Sequence, residues 1–222
     1  MLPDEGPVLD LGCGIGHSFK SLKPRATVGV DLEFSALRGQ KRSTCVADMR
    51  SLPFRDESFA SVLSVQSIEH VPDPENVLLE VKRVLEPQGA AIFVTPNRLT
   101  FARPDEIIDP YHYREFDPSE LRSLCSNFFA DVDVVGLFGS PAFNEFWAEQ
   151  LKTLDRILAL DPLKLRRMIP RRARQFLYDW QLTRQRKDND DARYASIGPK
   201  DFFVGPANVD RSFDLIAVCK KS

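Results

Sequence analysis

The 222-residue chain is poor in the features that mark several classes of protein. It has four cysteines, Cys13, Cys45, Cys125 and Cys219, and their scattered positions suit neither a disulfide framework nor a metal knuckle. No apolar run approaches the roughly 20 residues of a membrane span. The acidic start at Met1–Glu5 does not resemble a signal peptide. We therefore expect a cytoplasmic protein with reduced cysteines.

Positive and negative charges nearly balance over the whole chain, but one segment has a clear excess of positive charge. The formal net charge of -2 gives no indication of a polyanionic partner, and without a known nucleic-acid-binding module we expect no nucleic acid. Between Gln150 and Lys187, however, eleven lysines and arginines stand against three acidic residues. Its basic segment 164–174 suits either a solvated helix face or a peripheral contact with an anionic membrane or ligand, and both interpretations stay open.

Short apolar runs alternate with helical patterns along most of the chain. The predicted strands are Pro7–Leu11, Thr27–Val30, Thr44–Ala47, Ser61–Val65, Gly89–Thr95, Phe129–Leu137 and Phe213–Cys219. The early strands are apolar without alternation, which is typical of parallel strands buried on both faces, whereas the last alternates enough to be antiparallel. The pattern predicts one α/β domain over residues 1–222, with a doubly wound, seven-stranded, mostly parallel sheet.

The intervening helical patterns are His17–Lys23, Phe34–Gly39, Pro74–Leu85 and Pro118–Ser126, the last with Asp117 as its cap. Two segments depart from the alternation of strand and helix. Pro96–Asp117 is a long polar and aromatic connection, and such length in a compact domain favours a functional loop. Residues 141–195 contain helical patterns at Asn144–Leu160, Leu163–Ile169 and Arg171–Arg186. We expect them to form an insertion before the last strand and, together with the long loop, a lid over the acceptor pocket.

A glycine-rich turn follows the first strand. Gly12, Gly14 and Gly16 stand at alternate positions, where the absence of Cβ lets the backbone turn sharply and approach a ligand. Open α/β sheets bind ligands at this edge, beyond the carboxyl ends of the strands. The spacing differs from the Gly-x-Gly-x-x-Gly of dinucleotide sites. Asp10, two residues before Gly12, favours the ammonium and sulfonium of S-adenosylmethionine and would repel a pyrophosphate.

Two further acidic residues end neighbouring strands. Asp31 ends the second strand, where a carboxylate can accept hydrogen bonds from both ribose hydroxyls. Asp48 follows the third strand, where its carboxylate or the nearby backbone can take the adenine amino group while Met49 packs on the ring. Each aspartate alone could be a turn residue, but together with the glycines they predict a nucleoside site.

Successive motifs between residues 7 and 124 resemble those of class I S-adenosylmethionine-dependent methyltransferases. The motifs are Asp10–Gly16, Gly29–Asp31, Ala47–Phe54, Phe59, Ile68–Pro74 and Leu85–Ala90. The chain is most similar to the subgroup of quinone-biosynthesis methyltransferases and related small-molecule and glycan methyltransferases. The resemblance implies a Rossmann-like fold, S-adenosylmethionine as cofactor, and a cofactor contact at Gln66 after the fourth strand. The candidate cofactor residues are Asp10, Gly12, Cys13, Gly14, Gly16, Asp31, Leu32, Asp48, Met49 and Gln66.

The three histidines are the candidates for acid–base chemistry. Transfer of a methyl group to a hydroxyl oxygen requires removal of a proton, whereas transfer to a neutral amine often does not. His112 lies in the long loop and His70 beyond the fourth strand, both at the predicted ligand edge. We predict His112 as the general base, with His70 as the second choice, and the alternative is that both only bind loop backbone. His17 is interpreted as part of the glycine-loop architecture.

A metal site is the alternative to a histidine base. Some oxygen-directed members of the superfamily bind a divalent cation through a Glu-x-x-Glu-His cluster, sometimes with a later histidine. In Gln66–His70 of this chain a glutamine replaces the first glutamate, and a neutral amide is a poorer ligand for a hard cation. We therefore assign no metal ligands from the sequence.

The sequence thus predicts an enzyme that methylates oxygen in a small molecule, a glycan or a glycolipid precursor by direct in-line transfer. Methylation of nitrogen or carbon on the same fold, and a non-catalytic cofactor-binding protein, remain alternatives. A nicotinamide-dependent dehydrogenase is disfavoured by the glycine spacing and by Asp10. The identity of the acceptor and the oligomeric state are not predicted.

Overall fold

A computed structural model describes residues 3–22, 25–101, 107–159, 161, 164–175 and 197–222. These residues form an eight-stranded sheet with the order β3-β2-β1-β4-β5-β8-β6-β7. The strands are β1 Val8–Leu11, β2 Thr27–Asp31, β3 Ser43–Val46, β4 Phe59–Val65, β5 Leu85–Pro96, β6 Asp131–Gly139, β7 Phe202–Gly205 and β8 Asp214–Lys220. The order reverses around β1, which places the β1 and β4 ends side by side at the carboxyl edge of the sheet.

The strand directions confirm the predicted doubly wound, mostly parallel α/β fold. β1 to β5 pair in parallel, and β8 runs antiparallel to both β5 and β6, as its alternating sequence predicts. The predicted count of seven strands is wrong, because β7 adds an antiparallel partner to β6. Four residues at an exposed edge give too short a pattern for a sequence prediction. Phe203 of β7 joins the sheet by stacking on Phe138 of β6, with ring centroids 5.3 Å apart.

Besides the helical residues 171–175, six α-helices lie in the described part of the chain. They are α1 Phe19–Leu22, α2 Phe34–Leu37, α3 Pro74–Val84, α4 Arg98–Phe101, α5 Pro118–Ser126 and α6 Pro141–Ala159, with short 3₁₀ turns at Ile68–His70, Leu165–Met168, Pro199–Asp201 and Val209–Arg211. α5 begins as predicted, because the Asp117 side chain accepts hydrogen bonds from the backbone N–H groups of Ser119 and Glu120. α2 is shorter than predicted, because Arg38 is already extended and Gly39 has a φ of +81°.

The core lies on the two faces of the sheet and follows the period of the strands. Ala91 and Phe93 of β5 belong to a large buried cluster that includes the apolar faces of α3 and α5. The residue between them, Ile92, belongs to a smaller cluster on the opposite face, with Ile216 and Val218 of β8. Covering the sheet on both faces is what makes its central strands continuously apolar.

The predicted helical insertion follows β6. α6 corresponds to the helix predicted at Asn144–Leu160 and begins three residues earlier, at Pro141. Beyond it, Leu165–Met168 forms a 3₁₀ turn within the region predicted as Leu163–Ile169, and residues 171–175 are helical. The remainder of the helix predicted at Arg171–Arg186 lies outside the described residues. Among the described helices, none has the combination of length and apolarity that crossing a membrane requires.

Candidate cofactor and acceptor site

The glycine turn after β1 is tied closely to the neighbouring strand. The backbone N–H groups of Gly12 and Cys13 both donate to the carbonyl of Val30, at 2.8 and 2.9 Å. Gly12 has a φ of +70°, and a Cβ built on it would lie 2.5 Å from the Cβ of Ser67. Glycine is therefore required at this position for its backbone conformation and for the close approach of the turn after β4.

The next glycine faces open space instead. Gly14 has a φ of +49°, and no described residue lies within 4 Å of a Cβ built on it. Its backbone N–H donates to Oδ2 of Asp31 at 2.7 Å, while Oδ1 of Asp31 accepts from the backbone of Glu33 at 2.9 Å. The hydrogen bond from Gly14 thus orients the carboxylate of Asp31, at the end of β2, beside the open space next to Gly14.

Two cavities adjoin this turn at the carboxyl edge of the sheet. The first cavity, of about 360 Å³, is lined by residues that follow β1, β2, β3 and β4. The second cavity, of about 610 Å³, lies on the side of α1 and is lined by Asp10, His17 and Ser18 among others. Gly12, Gly14 and Gln66 line both cavities.

Nine of the ten predicted cofactor residues line one or both cavities. Those at the first are Gly12, Gly14, Asp31, Leu32, Asp48, Met49 and Gln66, and those at the second are Asp10, Gly12, Cys13, Gly14 and Gln66. Gly16 is the exception, because it lines neither. It has a φ of +87°, and a Cβ there would lie 2.7 Å from Oε1 of Gln40. Glycine at this position therefore permits the backbone conformation of the loop and its contact with Gln40. Gln66 has a φ of +50°, a strained conformation that is common at functional sites.

Asp10 differs from the sequence expectation in its partners. Its carboxylate is buried, with Oδ2 2.6 Å from Nη2 of Arg42, and it also accepts a hydrogen bond from the hydroxyl of Ser18. The Arg42 charge offsets the Asp10 charge, so Asp10 is not the unpaired carboxylate that the electrostatic argument against a pyrophosphate assumed. The glycine spacing therefore carries more of that argument than Asp10 does.

Asp48 is also paired with an arginine. Nη2 of Arg50 lies 2.7 Å from its Oδ2, and Nε of Arg50 donates to Oδ1 at 3.0 Å. The hydrogen bond from Arg50 holds the pKa of Asp48 below its usual value. Since both oxygens of Asp48 are engaged by Arg50, the backbone beside Asp48 is the better of the two predicted contacts for an adenine amino group.

Both predicted catalytic histidines lie together at the rim of the first cavity. The imidazole rings of His70 and His112 are 5.0 Å apart between centroids, and His70 lines the cavity itself. Glu69 lies close to both, because one ligand atom from each of Glu69, His70 and His112 lies within 4.8 Å of the other two. The predicted convergence of the two histidines on one edge is therefore present in the structure.

Glu69 is a fully buried carboxyl group with one hydrogen-bonded oxygen. Its Oε2 accepts from the hydroxyl of Thr95 at 2.9 Å. Its Oε1 is buried and has no hydrogen-bond partner within the described ranges. Burial raises the pKa of Glu69 to about 7, against the lowering effect of its hydrogen bonds and of His112.

His112 is oriented by a second buried glutamate. Its Nδ1 lies 2.9 Å from Oε1 of Glu115, and its ring also contacts Phe101 at 5.5 Å between centroids. Burial acts to lower the pKa of His112, but the Glu115 hydrogen bond and the charges of Asp109 and Glu69 outweigh it, so the pKa lies above its usual value. The ring is thus held in one orientation by a carboxylate.

The loop that carries His112 is anchored on both sides. The backbone N–H of Tyr113 donates to the carbonyl of Glu69 at 2.8 Å, which sets the distance between the loop and the turn after β4. From the insertion, Arg171 donates to the carbonyls of Pro110 and Tyr111, each at 2.8 Å. Its guanidinium also lies over the ring of Tyr113, 3.4 Å from the centroid. Arg171 of the basic segment 164–174 is therefore directed at the loop.

The sequence interpretation does not assign Arg42, Glu115 or Arg171. Arg42 and Arg171 meet their partners only through the fold, and no spacing along the chain indicates either contact. Glu115 stands three residues after His112 in a segment that already contains a candidate base, and this neighbouring acid is the one available signal. Glu69 is part of the quoted motif but not of the predicted site residues.

Comparisons with known proteins agree with this fold. Residues 9–93 match the model of a family described as a methyltransferase domain. A protein of Mycobacterium tuberculosis named "Probable S-adenosylmethionine-dependent methyltransferase" is 34% identical over 147 residues, which cover 62% of this chain and 54% of that protein. The chain thus spans about half the length of this relative.

Two further relatives and one solved structure extend the comparison. A similarly named protein of Mycolicibacterium smegmatis is 28% identical over 95% of this chain and 80% of its own length. The chloroplastic tocopherol O-methyltransferase of Arabidopsis thaliana is 28% identical over 65% of this chain and 47% of its own. A methyltransferase structure from Thermotoga maritima, titled a possible histamine N-methyltransferase, covers all of this chain and 84% of its own with a TM-score of 0.65, at 19% identity. At that identity it shows the fold alone.

The glycine turn, the acidic strand ends, the strand order and these relatives define one class of protein. Residues 9–93 match the methyltransferase domain, and the relatives that share this region are named S-adenosylmethionine-dependent methyltransferases.

Proposed function

We propose that this protein transfers the methyl group of S-adenosylmethionine to a hydroxyl oxygen of a small molecule, a glycan or a glycolipid precursor. The observation that carries the proposal is the rim formed by Glu69, His70 and His112, which adjoins the first cavity at His70. Transfer to oxygen needs such a polar rim, because the acceptor must lose a proton in the reaction. The tocopherol relative, an O-methyltransferase by name, supports the choice of oxygen.

The two cavities suit the two halves of the cofactor. In the first, which Asp31 and Met49 line, we assign the ribose hydroxyls to Asp31 and the face of the adenine ring to Met49. The methionine moiety then occupies the second cavity beside Cys13 and the Asp10–Arg42 pair. Gln66 lines both cavities, so the sulfonium is best placed near it, next to His70.

The reaction requires that the acceptor oxygen, the methyl carbon and the sulfur lie in line, and that one proton is transferred. A lone pair of the acceptor oxygen forms the new bond to the methyl carbon, while the bond between carbon and sulfur breaks and its electrons remain on sulfur. The products are a methyl ether and S-adenosylhomocysteine. His112 is the first candidate to take the acceptor proton, because Glu115 engages Nδ1 and leaves Nε2 as the acceptor. His70 is the second candidate.

The lid remains part of the proposal. We treat residues 1–222 as one methyltransferase domain in which residues 141–195 cover the acceptor. Arg171 supports this role, because it joins the insertion to the loop of His112 by two hydrogen bonds and by its contact with Tyr113. A peripheral contact of segment 164–174 with an anionic membrane or ligand stays a prediction.

The experiment that tests the function uses S-adenosylmethionine labelled in its methyl group. The purified protein is incubated with fractions of a cell extract, and the labelled product is analysed by mass spectrometry and by the nuclear magnetic resonance shift of the methyl carbon. We expect an O-methyl product and no product when S-adenosylhomocysteine is in excess. Label on nitrogen or carbon would support the alternative reactions on this fold, and a protein that binds the cofactor without turnover would contradict the proposal.

The same assay tests the lid through a matched pair of arginines. Arg171→Ala removes both hydrogen bonds to the loop and the cation–π contact, whereas Arg172→Ala removes an exposed arginine next to it. A cation–π contact is worth about 0.5–2 kcal/mol, and a hydrogen bond to a charged group about 1.5–3 kcal/mol. We expect Arg171→Ala to raise the KM for the acceptor about tenfold or more and Arg172→Ala to leave it unchanged. Equal values for both variants would count against the lid.

A further inference from the structure

A third cavity lies away from the cofactor site and is built mainly of aromatic rings; it is called the aromatic cavity below. Its volume is about 170 Å³, and it is lined by residues of α4, β6, α6 and β7 and by two residues just before β8. Five of its nine lining residues are aromatic: Phe138, Phe143, Trp147, Phe203 and Phe213. All nine follow residue 93, so the match to the methyltransferase-domain model does not account for this cavity.

The rings of the aromatic cavity hold one another in place. Phe143 and Trp147 both lie edge-to-face on Phe213, with centroids 5.1 and 4.8 Å apart. The indole N–H of Trp147 donates to the carbonyl of Thr100 at 3.5 Å. A Cβ at Gly139 would overlap the ring of Phe143, so the glycine lets this ring approach the end of β6. The walls of the cavity are therefore set by contacts within the protein, as is usual for ligand sites.

The size and the walls of the aromatic cavity suit one six-membered ring. A cavity of about 150 Å³ with apolar walls is large enough for benzene. Aromatic walls favour a flat ring over an aliphatic chain, because offset-stacked and edge-to-face contacts add to the gain from burying apolar surface. The shape of the site therefore points to an aromatic ring.

Arg211 places a positive charge at this cavity. It is one of the lining residues and is exposed, and its guanidinium forms no hydrogen bond or ion pair with any residue that the structure describes. Aromatic faces by themselves attract cations. The charge of Arg211 disfavours a second cation, however, and its planar donors match a carboxylate or a phosphate. The occupant that fits both features is an aromatic ring with an anionic group beside it.

Two ring contacts connect the aromatic cavity to the catalytic rim. The centroid of Trp147 lies 6.2 Å from that of Phe101, which in turn lies 5.5 Å from that of His112. Thr100 follows β5 and Gly139 ends β6, which run in the same direction, so the cavity lies at the carboxyl edge of the sheet. A ligand in the cavity is therefore on the same edge as the methyl donor.

We infer that the aromatic cavity binds a part of the acceptor remote from the hydroxyl, namely an aromatic ring with a carboxylate or a phosphate beside it. The inference rests on the proposed function and narrows its acceptors to molecules that contain such a group. Arg211 pairs with the anionic group, the ring fills the cavity, and the hydroxyl extends past Phe101 to His112. Binding energy from this remote contact holds the hydroxyl oxygen in line with the methyl carbon.

Binding at the cavity is measurable with simple probes and without the cofactor. A Trp180→Phe protein keeps Trp147 as its single tryptophan, so its fluorescence reports on the cavity wall. We expect saturable changes with benzoate and with phenyl phosphate. Acetate lacks the ring and benzyl alcohol lacks the charge, so each should bind at least about tenfold more weakly. A folded protein with no saturable response to benzoate or phenyl phosphate would overturn the inference.

Two matched pairs of variants locate the bound probe. Phe203 and Val204 are both exposed on β7 and point to opposite faces, and of the two Phe203 lines the cavity. Arg211 lines the cavity, whereas Lys200 is an exposed cation outside its lining. We expect Phe203→Ala and Arg211→Ala each to raise the Kd for benzoate at least about fivefold. Val204→Ala and Lys200→Ala should leave it unchanged, and equal effects within each pair would overturn the inference.

The labelled-methyl assay separates the inference from the proposed function. Saturating benzoate should suppress formation of the O-methyl product, and Phe203→Ala should raise the KM for the acceptor without changing the Kd for S-adenosylmethionine. An O-methyl product whose formation is unaffected by bound benzoate would overturn the assignment of the cavity to the acceptor and leave the proposed function intact. Label on nitrogen or carbon that benzoate suppresses would remove the O-methyl proposal and support the cavity as the acceptor site.

Discussion

Replacement of Gly12 by alanine should abolish cofactor binding at concentrations that saturate the wild-type protein. Gly12 has a φ of +70°, and the added Cβ would lie 2.5 Å from the Cβ of Ser67. The left-handed conformation costs roughly 1–2 kcal/mol and overpacking about 1–3 kcal/mol. Because the glycine turn lies between the two cavities, relief of the clash must move the cofactor site. We expect the Kd for S-adenosylmethionine to rise at least about 100-fold, which corresponds to about 2.7 kcal/mol.

Gly39→Ala is the control for the conformational part of this effect. Gly39 also has a positive φ, +81°, but no atom of the described part of the chain lies within 4 Å of a Cβ built on it. Its replacement should lower the free energy of unfolding by about 1–2 kcal/mol and leave the Kd unchanged. Both are read from calorimetric titrations and urea unfolding curves. A folded Gly12→Ala protein with the wild-type Kd would show that this turn does not form the cofactor site.

His112→Asn should reduce turnover by about 10²–10⁴-fold while leaving cofactor affinity within about twofold of the wild-type value. Asparagine is chosen because its amide N–H can replace Nδ1 of His112 as the donor to Glu115, so the buried carboxylate keeps a partner. The loss is expected because removal of the acceptor proton needs the lone pair of Nε2. The measurement is kcat with labelled cofactor, beside the Kd of the same preparation.

A smaller effect is expected at the residue that positions this ring. Glu115→Gln keeps the shape of the side chain but removes its charge, so kcat should fall about tenfold with an unchanged KM for the cofactor. Glu75→Gln is the matched control, because Glu75 is exposed on α3 and its carboxylate lies 3.7 Å from Arg114, its one ion-pair partner among the described residues. If His112→Asn has wild-type turnover, His112 has no catalytic role and only binds the loop backbone.

The parts of the site that follow from the sequence are those set by local rules. Gly12 and Gly14 follow one buried strand, and Asp31 ends the next. Because parallel strands have their carboxyl ends at one edge of the sheet, the sequence predicts that these residues lie close together. The same rule places Asp48 and Gln66 at that edge, and all five residues line the cavities. The capping residue Asp117 is local in the same sense.

The parts that the sequence does not give depend on contacts between distant segments. Arg42 precedes β3 yet neutralises Asp10 at the end of β1, and this contact changes the electrostatic argument drawn from Asp10. His112 meets Glu69 because the backbone of Tyr113 returns to the carbonyl of Glu69, which no periodicity indicates. Strand β7 pairs with β6, and Phe203 stacks on Phe138. The four residues of β7 are too few to show a strand pattern in the sequence alone.

The central claim is that the glycine turn and its acidic neighbours hold S-adenosylmethionine. Its most direct test is a set of calorimetric titrations of the wild-type protein with S-adenosylmethionine, S-adenosylhomocysteine and NAD. We predict that the first two bind with one site per chain and compete with each other, and that NAD gives no binding heat at the same concentrations. Tight binding of NAD, or a folded protein that binds neither sulfur compound, would contradict the account.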